Sequence, residues 1–137
     1  MDDVRTSLGY RGYIASRPVR GASTPQHVQN LVIRDYAARN GLDFKLSATE
    51  YAMDGCYLML EAVLDDLANL DGIILYSVFM LPQDPSRRNA VYRCVLDSAK
   101  TLHGALENLQ LGNGDDVQRL EDIFLVAQFV PSAAPNF

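Results

Sequence analysis

Tyr13-Ile14-Ala15-Ser16-Arg17-Pro18, continued by Thr24-Pro25-Gln26-His27-Val28-Gln29-Asn30, decides the fold. An apolar run stops at a hydroxyl and a guanidinium. A loop holding Pro18, Arg20, Gly21 and Ser23 follows, and a helix opens at Thr24-Pro25. Thr24 suits the N-cap and Pro25 the first helical position. This is a strand–loop–helix unit with its polar groups gathered at the turn. In α/β sheets, ligands sit at such carboxyl ends of strands, and the amides of the next helix start favour an anion there.

Working outward, Tyr10–Ser16 is the first strand and the helix runs from Pro25 to about Asn40, with Val28, Leu31, Val32 and Tyr36 on one stripe. Asn40-Gly41 is a stop signal. Leu42–Ala48 alternates apolar and polar residues, as a half-exposed edge strand does. The loop Thr49–Asp54 leads to a second helix near Gly55, with Asp54 as cap. Ile73–Phe79 is the most apolar, β-branched run and reads as a central strand. Pro82 and Pro85 break the next loop, and Asp84-Pro85 starts a third helix. Thr101–Glu107 reads as a fourth strand, and Asn113-Gly114-Asp115 turns into a fourth helix carrying Val117, Leu120, Ile123 and Phe124. The βαβαβαβα alternation predicts a single-domain α/β three-layer sandwich with a mainly parallel four-stranded sheet, flavodoxin-like in order, over residues 1–130, with 131–137 as a tail. A 2-1-3-4 order makes the first and third strands neighbours, which brings Ser16 and Arg17 near Ser77 and Phe79 with the Thr49–Asp54 loop on the flank.

The chain has 137 residues, enough for one domain with a sizeable core, and 48% of them are hydrophobic. Its net charge of −5 argues against an electrostatic nucleic-acid binder, although Arg11, Arg17 and Arg20 cluster early. The two cysteines, Cys56 and Cys94, stand alone in apolar stretches, as reduced buried thiols do. The acidic start has no apolar signal region and no run suits a membrane span, so a cytoplasmic location with no membrane partner is expected. No ligand spacing suggests a metal, and no phosphate-loop motif suggests a nucleotide cofactor.

The chemistry-bearing residues gather at the expected strand ends. Ser16 and Arg17 offer a hydroxyl and an anion anchor, and Arg20 a second cation. Gln26, Gln29 and Asn30 lie near one side of the first helical turns, where they can hold hydroxyl groups. His27 is a candidate general base. Glu50 and Tyr51 pair a carboxylate with a phenol for acid–base work. Ser77 ends the third strand. Cys56 lacks a defined base partner, and His103 falls in the fourth strand.

Four segments carry a family resemblance: Tyr10–Pro18, Pro25–Tyr36 (PQHVQNLVIRDY), Leu46–Met53 (LSATEYAM) and Asp71–Ser77 (DGIILYS). Together they resemble the sporadic carbohydrate-cluster protein family, over roughly Gly9 to Val126. That resemblance implies a role in making or modifying an unusual sugar and supplies no catalytic residues. The chain also resembles the catalytic domain of serine recombinases (resolvases), in which a first strand ends in an Arg and a Ser and a helix beginning near a Gln follows. Here the order is Ser16-Arg17, and no long helix or helix-turn-helix follows. A third likeness, to nucleoside deoxyribosyltransferase-like N-glycosidases, rests on Tyr13-Ile14-Ala15 and the polar helix start.

The expected function is therefore a small enzyme acting on a sugar phosphate or nucleotide-linked sugar by acid–base chemistry, as isomerase, epimerase, lyase or N-glycosidase. Glu50, His27, Tyr51 and Ser16 would act on the substrate, and Arg17, Arg20, Gln26, Gln29, Asn30 and Ser77 would bind it. No cofactor, no metal and no nucleic acid are expected, and a homodimer is possible. The competing expectation is a non-catalytic, resolvase-like binding or dimerisation module in a carbohydrate pathway.

Overall fold

In the computed structural model, residues 8–51, 53 and 55–129 are described. Five strands form one sheet in the order β2-β1-β3-β4-β5: β1 (Tyr10–Ala15), β2 (Phe44–Glu50), β3 (Gly72–Leu75), β4 (Thr101–Gly104) and β5 (Leu109–Leu111). β1 pairs in parallel with β2 and β3, and β3 with β4; β5 alone is antiparallel. The helices are α1 (Gln26–Arg39), α2 (Leu58–Asp65), α3 (Pro85–Asp97) and α4 (Gly114–Ala127). The α/β class and parallel core agree with the sequence reading. The strand count is five rather than four, because Leu109–Leu111 is a short antiparallel addition.

The central strands hold the core. Tyr13, Ile73 and Ile74 are fully buried, and Ile14 nearly so, because β1 and β3 are covered on both faces. Successive side chains of β2 alternate between those faces. Ser47 meets Asn30 of α1 on one side, while Glu50 meets the first turn of α2 on the other. α2 packs beside α3 on that second face.

Several boundaries differ from the pattern reading. β2 starts at Phe44 and runs on to Glu50, so Thr49 and Glu50 belong to the strand and not to a loop. β3 stops at Leu75, and Val78–Met80 forms a 3-10 turn whose first amide positions are met by side chains. Pro25 rather than Thr24 occupies the cap position of α1, with no side-chain cap bond. Asp84 caps α3 with Pro85 following, and Asn113 caps α4 in a capping box with Asp116, as their types dictate. The expected cap Asp54 and the tail 131–137 lie outside the described residues. Among the described residues, no helix is long and apolar enough to cross a membrane.

Candidate functional site

The order β2-β1-β3 places a topological switch point between the carboxyl ends of β1 and β3. A crevice of about 230 Å³ opens there, lined by Val19, Arg20, Thr24, Tyr76, Ser77, Phe79, Leu106 and Glu107. Its wall is the β1–α1 loop. Val19 and Ala22 exchange backbone hydrogen bonds around Arg20 and Gly21, whose φ values of 51° and 80° are both positive. Such a two-residue turn suits glycine and strains an arginine. The turn carries Arg20 over the Phe79 ring, 4.9 Å from its centroid, and within 3.4 Å of the Ala127 carbonyl at the end of α4.

The opposite wall is polar. Ser77 Oγ donates to Glu107 Oε2 at 2.6 Å and accepts from the Phe79 amide, while Glu107 Oε1 accepts from the Val78 amide. Ser77 is buried and holds Glu107 in place. Glu107 carried no motif signal in the sequence; only its position after β4 could have pointed to it.

The sequence candidates divide by location. Ser16 is exposed just past β1, its hydroxyl donating to the Glu50 carbonyl at 3.3 Å. Arg17 directs one guanidinium nitrogen at the carbonyls of Tyr51, Met53 and Cys56, the last at 2.8 Å, and stacks on Tyr57. Arg87 of α3 also stacks on Tyr57, 4.8 Å from the ring centroid, and pairs with Glu61 at 3.7 Å. Arg17, Tyr57 and Arg87 thus form one partly exposed group, with Ser16 next in sequence to Arg17. Neither Tyr57 nor Arg87 is among the site candidates read from the sequence, where Arg87 reads only as an outward-facing residue of the third helix. Tyr51 is exposed beside them. Gln26 and His27 are exposed in the first turn of α1.

Gln29, Glu50 and Asn30 are engaged in the fold. Gln29 is buried, accepts from the Ala15 amide, and donates to the carbonyls of Ala15 and Thr24, closing the end of β1. Glu50 is fully buried and accepts from Tyr13 Oη, the Met59 and Leu60 amides, and the Cys56 thiol. Burial pushes its carboxyl up, but these donors outweigh burial and hold it below the ordinary range. Burial and the same carboxylate push the Tyr13 phenol up. Asn30 accepts from Ser47. His103 lies on the α1 face, between Tyr36 and Thr101, and burial lowers it to about 4. Cys56 is buried. No group of metal-ligating side chains occurs among the described residues.

No family model and no curated protein matches the chain. Among solved structures, it is similar to the crystal structure of the N-terminal catalytic domain of TP901-1 integrase. The TM-score is 0.51 at 17% identity, over 87% of this chain and 95% of that one. The likeness is one of fold, and at that level the resemblance to serine recombinase catalytic domains holds. The carbohydrate-family resemblance finds no counterpart in these comparisons. Two expectations are corrected by this match. The sugar-directed enzyme, and with it the carbohydrate-pathway module, gives way, because the solved structure that the fold resembles is an integrase catalytic domain. The exclusion of nucleic acid also fails, because net charge sums the whole surface and does not describe the face that a domain of this fold presents.

Proposed function

We propose that this chain is DNA-directed and contacts the phosphodiester backbone through the group beyond the carboxyl ends of β1 and β2. The observation that carries the reading is that two guanidinium groups stack on one tyrosine, with the exposed Ser16 next in sequence to one of them. Arg17 and Arg87 lie 4.9 and 4.8 Å from the Tyr57 centroid, so both cations are held on one small platform. Arginine forks match phosphate oxygens, and hydroxyls add further phosphate contacts. The exposed His27 lies in the first turn of α1, and Arg20 stands at the neighbouring crevice, over Phe79. The shared integrase-domain fold supports the choice of ligand. Backbone contact is the proposed activity: Ser16 already donates to a carbonyl and Arg17 to three, an arrangement that favours holding DNA over attacking it.

Fluorescence anisotropy with labelled duplex and single-stranded DNA tests the reading. Binding is expected in the non-specific range of roughly 10⁻⁴–10⁻⁶ M, weakening steeply with salt. Arg87→Ala is expected to weaken it and flatten its salt dependence. No binding at low salt, or binding indifferent to Arg87→Ala and Ser16→Ala, would falsify it.

A further inference from the structure

Between α3 and α4 lies a polar cluster that the proposed contact face does not use. Arg88 is only 4% exposed. Its Nε and Nη2 donate to the two carboxylate oxygens of Glu121, each at 2.7 Å, and Tyr92 Oη donates to Glu121 Oε2, also at 2.7 Å. Nη1 is held by the carbonyls of Pro82 and Gln83, and the guanidinium lies 4.0 Å from the Phe124 centroid. Three donors fixed on α3 therefore converge on one oxyanion supplied by α4. Burial is tolerated because each guanidinium nitrogen and the phenol has a partner. The hydrogen bond to Glu121 raises the Arg88 guanidinium further, and the Arg88 bond lowers the Glu121 carboxyl, so both stay charged.

The fork of an arginine fits a carboxylate and a phosphate alike. A cavity of about 150 Å³ adjoins the cluster, lined by Arg88, Phe124 and Gln83, with Arg20 on its wall. A second cationic side chain thus borders the approach to the first. α4 itself is lightly seated, since Leu120 and Phe124 are its only buried residues.

We infer that Arg88 and Tyr92 form a receptor for a phosphate oxyanion, which α4 keeps filled with the Glu121 carboxylate, so that α4 acts as an autoinhibitory strap. Lifting α4 removes Glu121, and a phosphate group takes its two fork bonds and the tyrosine bond. The receptor stands on its own geometry; naming DNA as the phosphate source rests on the function proposed above.

Thermal unfolding of the full chain in inorganic phosphate, against chloride at equal ionic strength, tests the receptor. Glu121→Gln keeps the shape of the strap and removes its charge. A ligand that binds only the folded state raises the midpoint by mass action. The expected result is a rise of several degrees at about 10 mM phosphate in E121Q, against about 1 °C or less in the parent. Adding Arg88→Lys abolishes the rise. If E121Q is too unstable to show a transition, the same titration is read as phosphate-dependent recovery of native circular dichroism. Equal responses of parent and variant, or equal responses to phosphate and chloride, overturn the receptor. A second arm measures DNA binding by anisotropy, where E121Q is expected to bind about tenfold tighter than the parent. Absence of DNA binding by both proteins overturns the DNA reading, and the phosphate arm still decides the receptor.

Discussion

The hydroxyl of Tyr13 donates to Oε1 of Glu50 across 2.5 Å, and neither residue has any exposed surface. The same carboxylate accepts from the Met59 and Leu60 amides. One side chain therefore joins β1, β2 and the start of α2. The first amides of a helix lack intrahelical partners and carry partial positive charge, so a carboxylate there satisfies both needs.

Glu50→Gln is expected to destabilise the chain by about 2–4 kcal/mol, because an amide cannot accept from all four donors. Urea unfolding measures the loss. A carboxyl held below its ordinary value stabilises the fold above the unfolded pKa of about 4.3, and that stability is lost as pH falls through the folded value. The parent is therefore expected to lose stability on acidification below that point more steeply than E50Q. Equal slopes would show that Glu50 is not the group responsible.

Much of this arrangement was legible in the residues. Periodicity and caps located four helices, and the apolar density of Ile73–Leu75 marked the central strand. The alternation leaves the strand order open; the supposed 2-1-3-4 order is the one observed for the first four strands, and it places the crevice beside Ser77. What escaped were pairings across the chain. Nothing local to Glu50 announces that Tyr13 and two amides of α2 will enclose it, so an isolated carboxylate reads as free to react. The Arg88–Glu121 pair spans 33 positions and two helices, and neither member stands in a motif. Short β5 was missed because three residues give too little alternation to separate a strand from a turn.

Gln29 closes β1 through three hydrogen bonds, two of them to the backbone of Ala15. Gln29→Ala leaves the buried Ala15 amide and carbonyl without these partners. Each unsatisfied group costs roughly 1–3 kcal/mol, so a loss of at least about 2 kcal/mol is expected in chemical denaturation. Gln29→Glu keeps the acceptor but sets a buried carboxylate oxygen against the Ala15 and Thr24 carbonyls, and it is expected to cost at least as much as Gln29→Ala. A neutral Gln29→Ala would mean that another group closes the strand end.

Arg17 gathers the carbonyls of Tyr51, Met53 and Cys56 around one nitrogen. Its removal is expected to loosen the segment before α2 more than the domain as a whole. Arg17→Ala should speed amide exchange at Met53 and Gly55 by tenfold or more, corresponding to about 1.4 kcal/mol of local stability. Exchange in β1 and β3 should stay unchanged. Lysine carries the charge without the planar fork, so Arg17→Lys should restore little of the protection. Uniform acceleration across the sheet would assign Arg17 a global role instead.

His103 gives the clearest pH signature. It is 3% exposed, with Nδ1 2.7 Å from Tyr36 Oη and Nε2 2.9 Å from Thr101 Oγ1. Burial lowers it from its ordinary value of 6.5 to about 4. Between those two values the unfolded chain binds a proton that the folded chain does not. Stability should therefore be fully present above the unfolded pKa, fall as pH drops from about 6.5 towards 4, and level off below. At about 1.4 kcal/mol per unit, the effect reaches on the order of 3 kcal/mol. His103→Gln cannot take up the proton and should remove this part of the slope, at a constant cost from imperfect replacement of the ring. Proton NMR of the imidazole, with the folded chain titrated between pH 7 and pH 4, checks the assignment directly. A midpoint near 6.5 for His103 in the folded state would contradict it, because a charged imidazole would then sit between Tyr36 and Thr101 without the penalty that burial imposes.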